Sequence, residues 1–225
     1  MNDLGILTTA IEAGDRVTAV RLTHDAVDAG LPPQIILDSM TKAMQEIGGR
    51  FQRSEIYVPE MLIAARAMQE AMAVLEPLLV GSGIKHAATA VLGTIQGDLH
   101  DIGKNLVGMM WKGANIEVID LGTNVSPSRF AEAAKEHNAQ IVGISALLTT
   151  TMVGMRDVVA AVRAASPDGV KILVGGAPVT AAFAREIGAD AYAPDAGSAV
   201  EAAHAALAQL RAPRADATAS AGTAQ

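Results

Sequence analysis

Cysteine is absent from the 225 residues, which excludes disulfides, zinc-thiolate sites, cysteine-held iron–sulfur clusters and a thiol nucleophile in any compartment. Any metal must come mainly through His, Asp or Glu. Aromatic side chains are scarce, with one Trp, two Tyr and three Phe, so the core has to be built from Ala, Val, Leu, Ile and the ten soft, adaptable Met. Long apolar runs are missing as well. Glu76, Lys85 and the polar positions of 145–151 interrupt the best candidates before they reach the roughly 18 residues of a spanning helix, so no membrane association is expected. Met1 to Asp15 includes Asp3 and Glu12, has no basic n-region and offers too short an apolar stretch for a secretory signal, which leads to the expectation of a soluble, cytoplasmic protein. Basic residues are outnumbered, Lys+Arg 17 against Asp+Glu 24, and a net charge of −7 without a basic stripe argues against nucleic acid as a partner.

What is present divides the chain in two. From Leu4 to about Val80 apolar residues recur at helical spacing, as in Ile36, Met40, Met44 and Ile47, or Met61, Leu62, Ala65, Met68, Met72 and Leu75. Gly14-Asp15, Gly30-Leu31-Pro32-Pro33 and Gly48-Gly49 punctuate this half into about four helices, with Asp15 and Ser54 as caps, giving a helical bundle over 1–84. After Gly81-Ser82-Gly83 the pattern changes to short Val- and Ile-rich runs alternating with helical segments. Strands are predicted at 87–94, 116–121, 140–145, 170–174 and 190–193, and helices near 103–113, 127–137, 152–165, 178–187 and 196–210. Near-continuous apolar strands such as Ile141 to Ile144 suit a parallel sheet covered on both faces, so 85–211 reads as a five-stranded, doubly wound α/β domain. The tail 212–225 is Ala-, Thr- and Ser-rich and is expected to be disordered.

The most informative segment is Gly93 to Asn105, a strand-to-helix loop. In an open α/β sheet such loops line the ligand crevice where the strand order reverses. Asp98 stands two residues before His100, close enough for its carboxylate to meet one imidazole nitrogen and leave the other for a metal. Gly97 and Gly103 permit the backbone shapes that a tight loop and helix start demand. Asp-x-His also occurs by chance, and a hydrolytic zinc site would need further ligands, whereas His24, His86, His137 and His204 sit on helix faces or strand starts. Neither Gly-x-Gly-x-x-Gly nor a P-loop ending is present. Two more loops converge on the same crevice: the hydroxyl-rich Ser145 to Thr151 after the third strand, and Gly175-Gly176-Ala177-Pro178 after the fourth. Singly, hydroxyls cap helices and glycines make turns; together with Asp98 and His100 they form a constellation.

In these residues, Asp98-x-His100-x-x-Gly103, then Ser145-x-Leu147, then Gly175-Gly176, the chain resembles the corrinoid (cobalamin-binding) proteins of methyltransferase systems, which share their module with cobalamin-dependent methionine synthase. The resemblance covers roughly 1–210, including Tyr57-Val58-Pro59-Glu60-Met61. It implies a four-helix cap followed by a flavodoxin-like cobalamin domain, with His100 replacing the cofactor's own base as the lower ligand of cobalt. The displaced nucleotide tail would be buried beside the sheet. Asp98 would orient His100 and Thr151 would extend that relay, a position more often Ser in the family; Ser145 and Thr149 would lie near the tail, and Gly175, Gly176 and Ala196 along its path. The implied cofactor-binding set is completed by Gly97, Leu99, Asp101, Gly103 and Leu147. Met61, Met68 and Met72 would shield the upper face of the corrin.

The function so implied is a non-catalytic methyl carrier. It would hold methylcobalamin or cob(I)alamin and serve a substrate-specific methyltransferase, an acceptor methyltransferase using tetrahydrofolate or a thiol, and a reductive activator. A substrate-activating barrel of about 250 residues would exceed the whole chain. The alternatives are a cobalamin-dependent sensor, for which no output module is visible, and the cobalamin domain of a mutase, which usually lacks this helical cap.

Overall fold

The computed structural model describes residues 4–166 and 169–211; the expected disorder of 212–225 falls outside them. Four helices come first: α1 (Leu4–Glu12), α2 (Arg16–Asp28), α3 (Pro33–Gln52) and α4 (Val58–Gly81). Asp15 starts α2 as predicted, its carboxylate accepting the Thr18 N–H at 3.0 Å. Two punctuation marks behave differently. Gly48 and Gly49 lie inside α3, because Gly48 is a point of close approach: a Cβ on Gly197 would come 2.8 Å from the Gly48 carbonyl oxygen. Ser54 is no cap either. It follows α3 with φ 58°, and α4 is opened by the Glu60 carboxylate accepting the Tyr57 N–H at 3.1 Å.

The second half alternates β1 (Ala88–Thr94), α5 (Ile102–Gly113), β2 (Ile116–Asp120), α6 (Pro127–Glu136), β3 (Ile141–Ser145), α7 (Thr149–Met152), α8 (Met155–Ala165), β4 (Lys171–Gly175), α9 (Ala181–Glu186), β5 (Ala191–Ala193) and α10 (Ala196–Arg211). All strands are parallel, in the order β2-β1-β3-β4-β5. The helix expected over 152–165 is split into α7 and α8. The short α7 turns Thr151 back toward Asp98, and the chain restarts after Gly154, where a Cβ would sit 3.3 Å from Ile95. The helix expected from 178 begins later, at Ala181, capped by the Thr180 hydroxyl.

Period-2 alternation assigns the two faces of the sheet. Ala88, Ala90 and Leu92 of β1 join a core shared with the helical half, α5 and α10; Val91 and Ile95 join a second core under α6, α8 and α9. Trp111, 1 % exposed, ties α5 to α10 by donating its indole N–H to the Ala199 carbonyl at 3.0 Å. The strand order reverses between β1 and β3, so the loops after those strands part and leave a crevice at their carboxyl ends. Among the described residues no helix is long and apolar enough to cross a membrane.

Candidate functional site

The loop after β1 is tied down from below and from one side. The Thr94 hydroxyl donates to the His100 carbonyl at 2.9 Å, and the Asp98 N–H closes a turn onto the Ile95 carbonyl. Gly97 holds φ 83°, a left-handed conformation that glycine adopts without cost. Asn124, itself at φ 55°, accepts the Gly97 N–H at 2.8 Å and donates its own N–H to the Asp98 carbonyl at 3.0 Å, a clamp from the neighbouring loop that sequence reading missed.

This scaffold buries the Asp98 carboxylate completely and surrounds it with donors. Oδ1 accepts the His100 N–H at 3.1 Å and lies 2.7 Å from His100 Nδ1. Oδ2 accepts the Leu147 N–H at 2.8 Å, the Leu148 N–H at 3.3 Å and the Thr151 hydroxyl at 2.9 Å. Burial alone would raise the carboxyl's pKa; the N–H groups of Leu147 and His100, the imidazole and the Thr151 hydroxyl outweigh it and hold Asp98 well below the usual carboxylate range. An ionised Asp98 has no proton to offer, so His100 Nδ1 is the donor. That leaves Nε2, on a ring whose side chain is 52 % exposed, as the atom a metal could take.

Because the folded pKa is depressed, the stability Asp98 supplies is complete above the ordinary carboxyl value of 3.8 and is lost as pH falls through the lower folded value. Asp98→Asn keeps the shape but sets an amide N–H against other donors. Urea unfolding at pH 7 is expected to show a loss of about 3 kcal/mol, a difference that narrows as acid removes the wild-type advantage.

Beside His100 opens a cavity of about 490 Å³ between the sheet and helices α5 and α10. Leu99, His100, Asp101, Gly103, Ser145, Leu147, Gly175, Gly176 and Ala196 line it. Gly97, Asp98 and Thr151 stand behind His100 and outside the lining. The structure does not bring Thr149 into the cavity: the residue is exposed, and on a helix it points roughly 200° away from Thr151. The methionines expected to face the corrin are elsewhere too. Met61 and Met68 are sealed in the bundle core and Met72 borders a different cleft, whereas Phe51 is the bundle residue at this cavity. A stripe at helical spacing reports burial, and here the burial is against α2 and α3.

Sequence reading also passed over Lys104, Trp111, Gly143, Ala193 and Ala199 in the lining. Gly143, a glycine inside an apolar strand, was a readable sign of close approach. Lys104 is buried; its stem borders the cavity while its ammonium leaves it, donating to both Asp120 carboxylate oxygens at 2.6 and 2.5 Å and to the Asn105 amide oxygen at 2.7 Å. The other histidines stay away: His86 Nδ1 pairs with Asn115, and burial pushes the pKa of His204 on α10 down.

A family model described as a B12 binding domain matches residues 88–204, and a second of the same description matches 6–76. The chain belongs to the B12-binding corrinoid proteins. It is 37 % identical over 209 residues to a corrinoid protein of Desulfitobacterium hafniense, covering 91 % of this chain and 97 % of that one. It is 38 % identical over 196 residues, 86 % of this chain and 91 % of the relative, to dimethylamine corrinoid protein 2 of Methanosarcina acetivorans. Among solved structures, the methanol:cobalamin methyltransferase complex of Methanosarcina barkeri matches with a TM-score of 0.79 and 26 % identity, over 90 % of this chain and 78 % of that one.

A corrinoid protein binds cobalamin, and the residues present fit that group. Among the described residues no cluster of three or more His, Asp or Glu side chains could hold a metal ion. One free imidazole nitrogen suits a metal that arrives with its equatorial ligands already supplied by a macrocycle. Gly103 lines the cavity, yet a Cβ there would meet nothing within 4 Å, so protein packing does not require the glycine.

Proposed function

We propose that this corrinoid protein carries a methyl group between two methyltransferases, holding cobalamin with its own base displaced, His100 Nε2 as the lower cobalt ligand and the nucleotide arm in the 490 Å³ cavity. The observation that supports this most directly is the single free imidazole nitrogen at the cavity mouth, fixed in its tautomer by an ionised, fully buried Asp98. When bound, the cofactor supplies a cobalt ion that accepts and releases methyl.

The chain's own residues do the rest. Asp98 keeps Nδ1 protonated and Nε2 aimed outward, the orientation in which His100 would hold the cobalt. Thr151 fixes the far carboxylate oxygen, so the carboxylate does not turn away from the imidazole. Leu99, at 73 % exposure, and Leu147 flank His100 with apolar surface that a corrin ring would cover.

That relatives are named dimethylamine corrinoid proteins, and that a matching structure is a methanol:cobalamin methyltransferase complex, supports a substrate-specific methyltransferase as the loading partner. A second methyltransferase, acting on tetrahydrofolate or a thiol, would unload it, and a reductive activator would restore cobalt(I). The reconstituted holoprotein is expected to be methylated by its cognate methyltransferase with stoichiometry near one methyl per cobalt. Failure to accept methyl from any cognate methyltransferase overturns the carrier role.

A further inference from the structure

The cavity sorts its polar atoms by depth, and this bears on which cobamide it takes; the point rests on the nucleotide arm entering the cavity as proposed above. At the mouth lie His100, the Ser145 hydroxyl and the Asp195 carboxylate, the last accepting the Ser198 N–H at 2.8 Å and hydroxyl at 3.0 Å. One layer below, strand register sets Leu92, Gly143 and Leu173 side by side on the sheet face, opposed by Trp111 from α5 and Ala199 from α10. The strand amides and carbonyls of that layer are spent in the ladder. Its one polar side-chain atom, the Trp111 indole nitrogen, is spent on the Ala199 carbonyl. Lys104 has turned its ammonium out to Asp120. The other side chains of that layer, Leu92, Leu173 and Ala199, are apolar, so the floor holds no side-chain donor or acceptor waiting for a ligand.

We infer that this floor selects the base at the end of the nucleotide arm: it accepts a flat ring without a hydrogen-bonding outer edge, of the dimethylbenzimidazole or phenol type, and discriminates against a purine. The exocyclic amine and ring nitrogens of adenine would leave water and find no partner beside Leu92, Leu173 and Trp111. Buried polar groups without partners are penalised far more than apolar ones are rewarded, and the expected discrimination is on the order of 10- to 100-fold in affinity.

The unaltered apoprotein tests this. It is titrated with two cobamides that share corrin, arm and phosphate and differ only in the base, dimethylbenzimidazole in one and adenine in the other, with cobinamide, which lacks the nucleotide, alongside. Affinity is read from the absorption change on histidine ligation. Both complete cobamides should reach the same ligated spectrum, the adenine form binding on the order of 10- to 100-fold more weakly. Leu173→Gln, which puts an amide on the floor, should narrow that ratio. Binding of the two within about threefold overturns the inference, as does cobinamide binding as tightly as cobalamin. If no cobamide gives the ligated spectrum, the ligation reading itself fails and this inference falls with it.

Discussion

His100→Ala leaves the fold intact and removes the histidine-ligated absorption of bound cobalamin, with retention of the cofactor falling on the order of 100-fold. The fold survives because the imidazole is half exposed. The loop keeps its shape through groups the substitution does not touch: the His100 N–H still reaches Asp98 Oδ1, the Thr94 hydroxyl still reaches the His100 carbonyl, and Asn124 still clamps Gly97 and Asp98. Only the Nδ1 contact and the outward Nε2 disappear. Anaerobic reduction to cobalt(II) followed by electron paramagnetic resonance gives the decisive reading. The native protein should show coupling to one imidazole nitrogen and the variant none; an unchanged spectrum in the variant sinks the proposed ligation.

Gly176→Ala is expected to damage the protein more deeply. Gly176 holds φ 120°, and a Cβ there would lie 1.8 Å from the carbonyl oxygen of Ala146, a backbone atom. That oxygen has nowhere to go, since Ala146 is fully buried and its N–H is bonded to the Gly175 carbonyl at 3.2 Å. The loops after β3 and β4 must separate, at a cost of about 3 kcal/mol or more, which for a chain of this size corresponds to a fall in Tm of roughly 6–12 °C. Because the same loop carries the Leu147 and Leu148 N–H groups to Asp98, the carboxylate loses donors and cobalamin binding is lost with stability. Gly103→Ala is the matched control. Its Cβ enters open cavity, so stability should be unchanged or slightly higher while cobalamin binding weakens. Equal effects of the two substitutions would contradict the distinction between a glycine that the protein needs and one that the ligand needs.

The division of the chain was legible because burial leaves a period: one-sided stripes gave four helices, and near-continuous apolar runs gave a parallel sheet with helices on both sides. The contact of Asp98 with His100 was legible for a similar reason, since it joins residues two apart on one loop. Gly48-Gly49 misled because a glycine reads as a break whether it bends the chain or admits a neighbour, and only the crossing of α3 with α10 shows which. Thr149 and Thr151 look equivalent in sequence; the turn of α7 sends one to Asp98 and the other to solvent.

From residue order alone came the alternation of elements, the loop that bears an imidazole beside a carboxylate, and the glycines where strands end. Tertiary structure decided which donors from the β3 loop keep Asp98 charged, that Phe51 and not the methionine stripe reaches the cavity, and that the floor between Leu92, Gly143, Leu173 and Trp111 is dry of free hydrogen-bonding groups. The reason is one of range. Periodicity and short spacings report what a residue does to its own segment, whereas a buried charge and a cavity floor are made by segments some 50 positions apart, which meet only after the sheet has set its register.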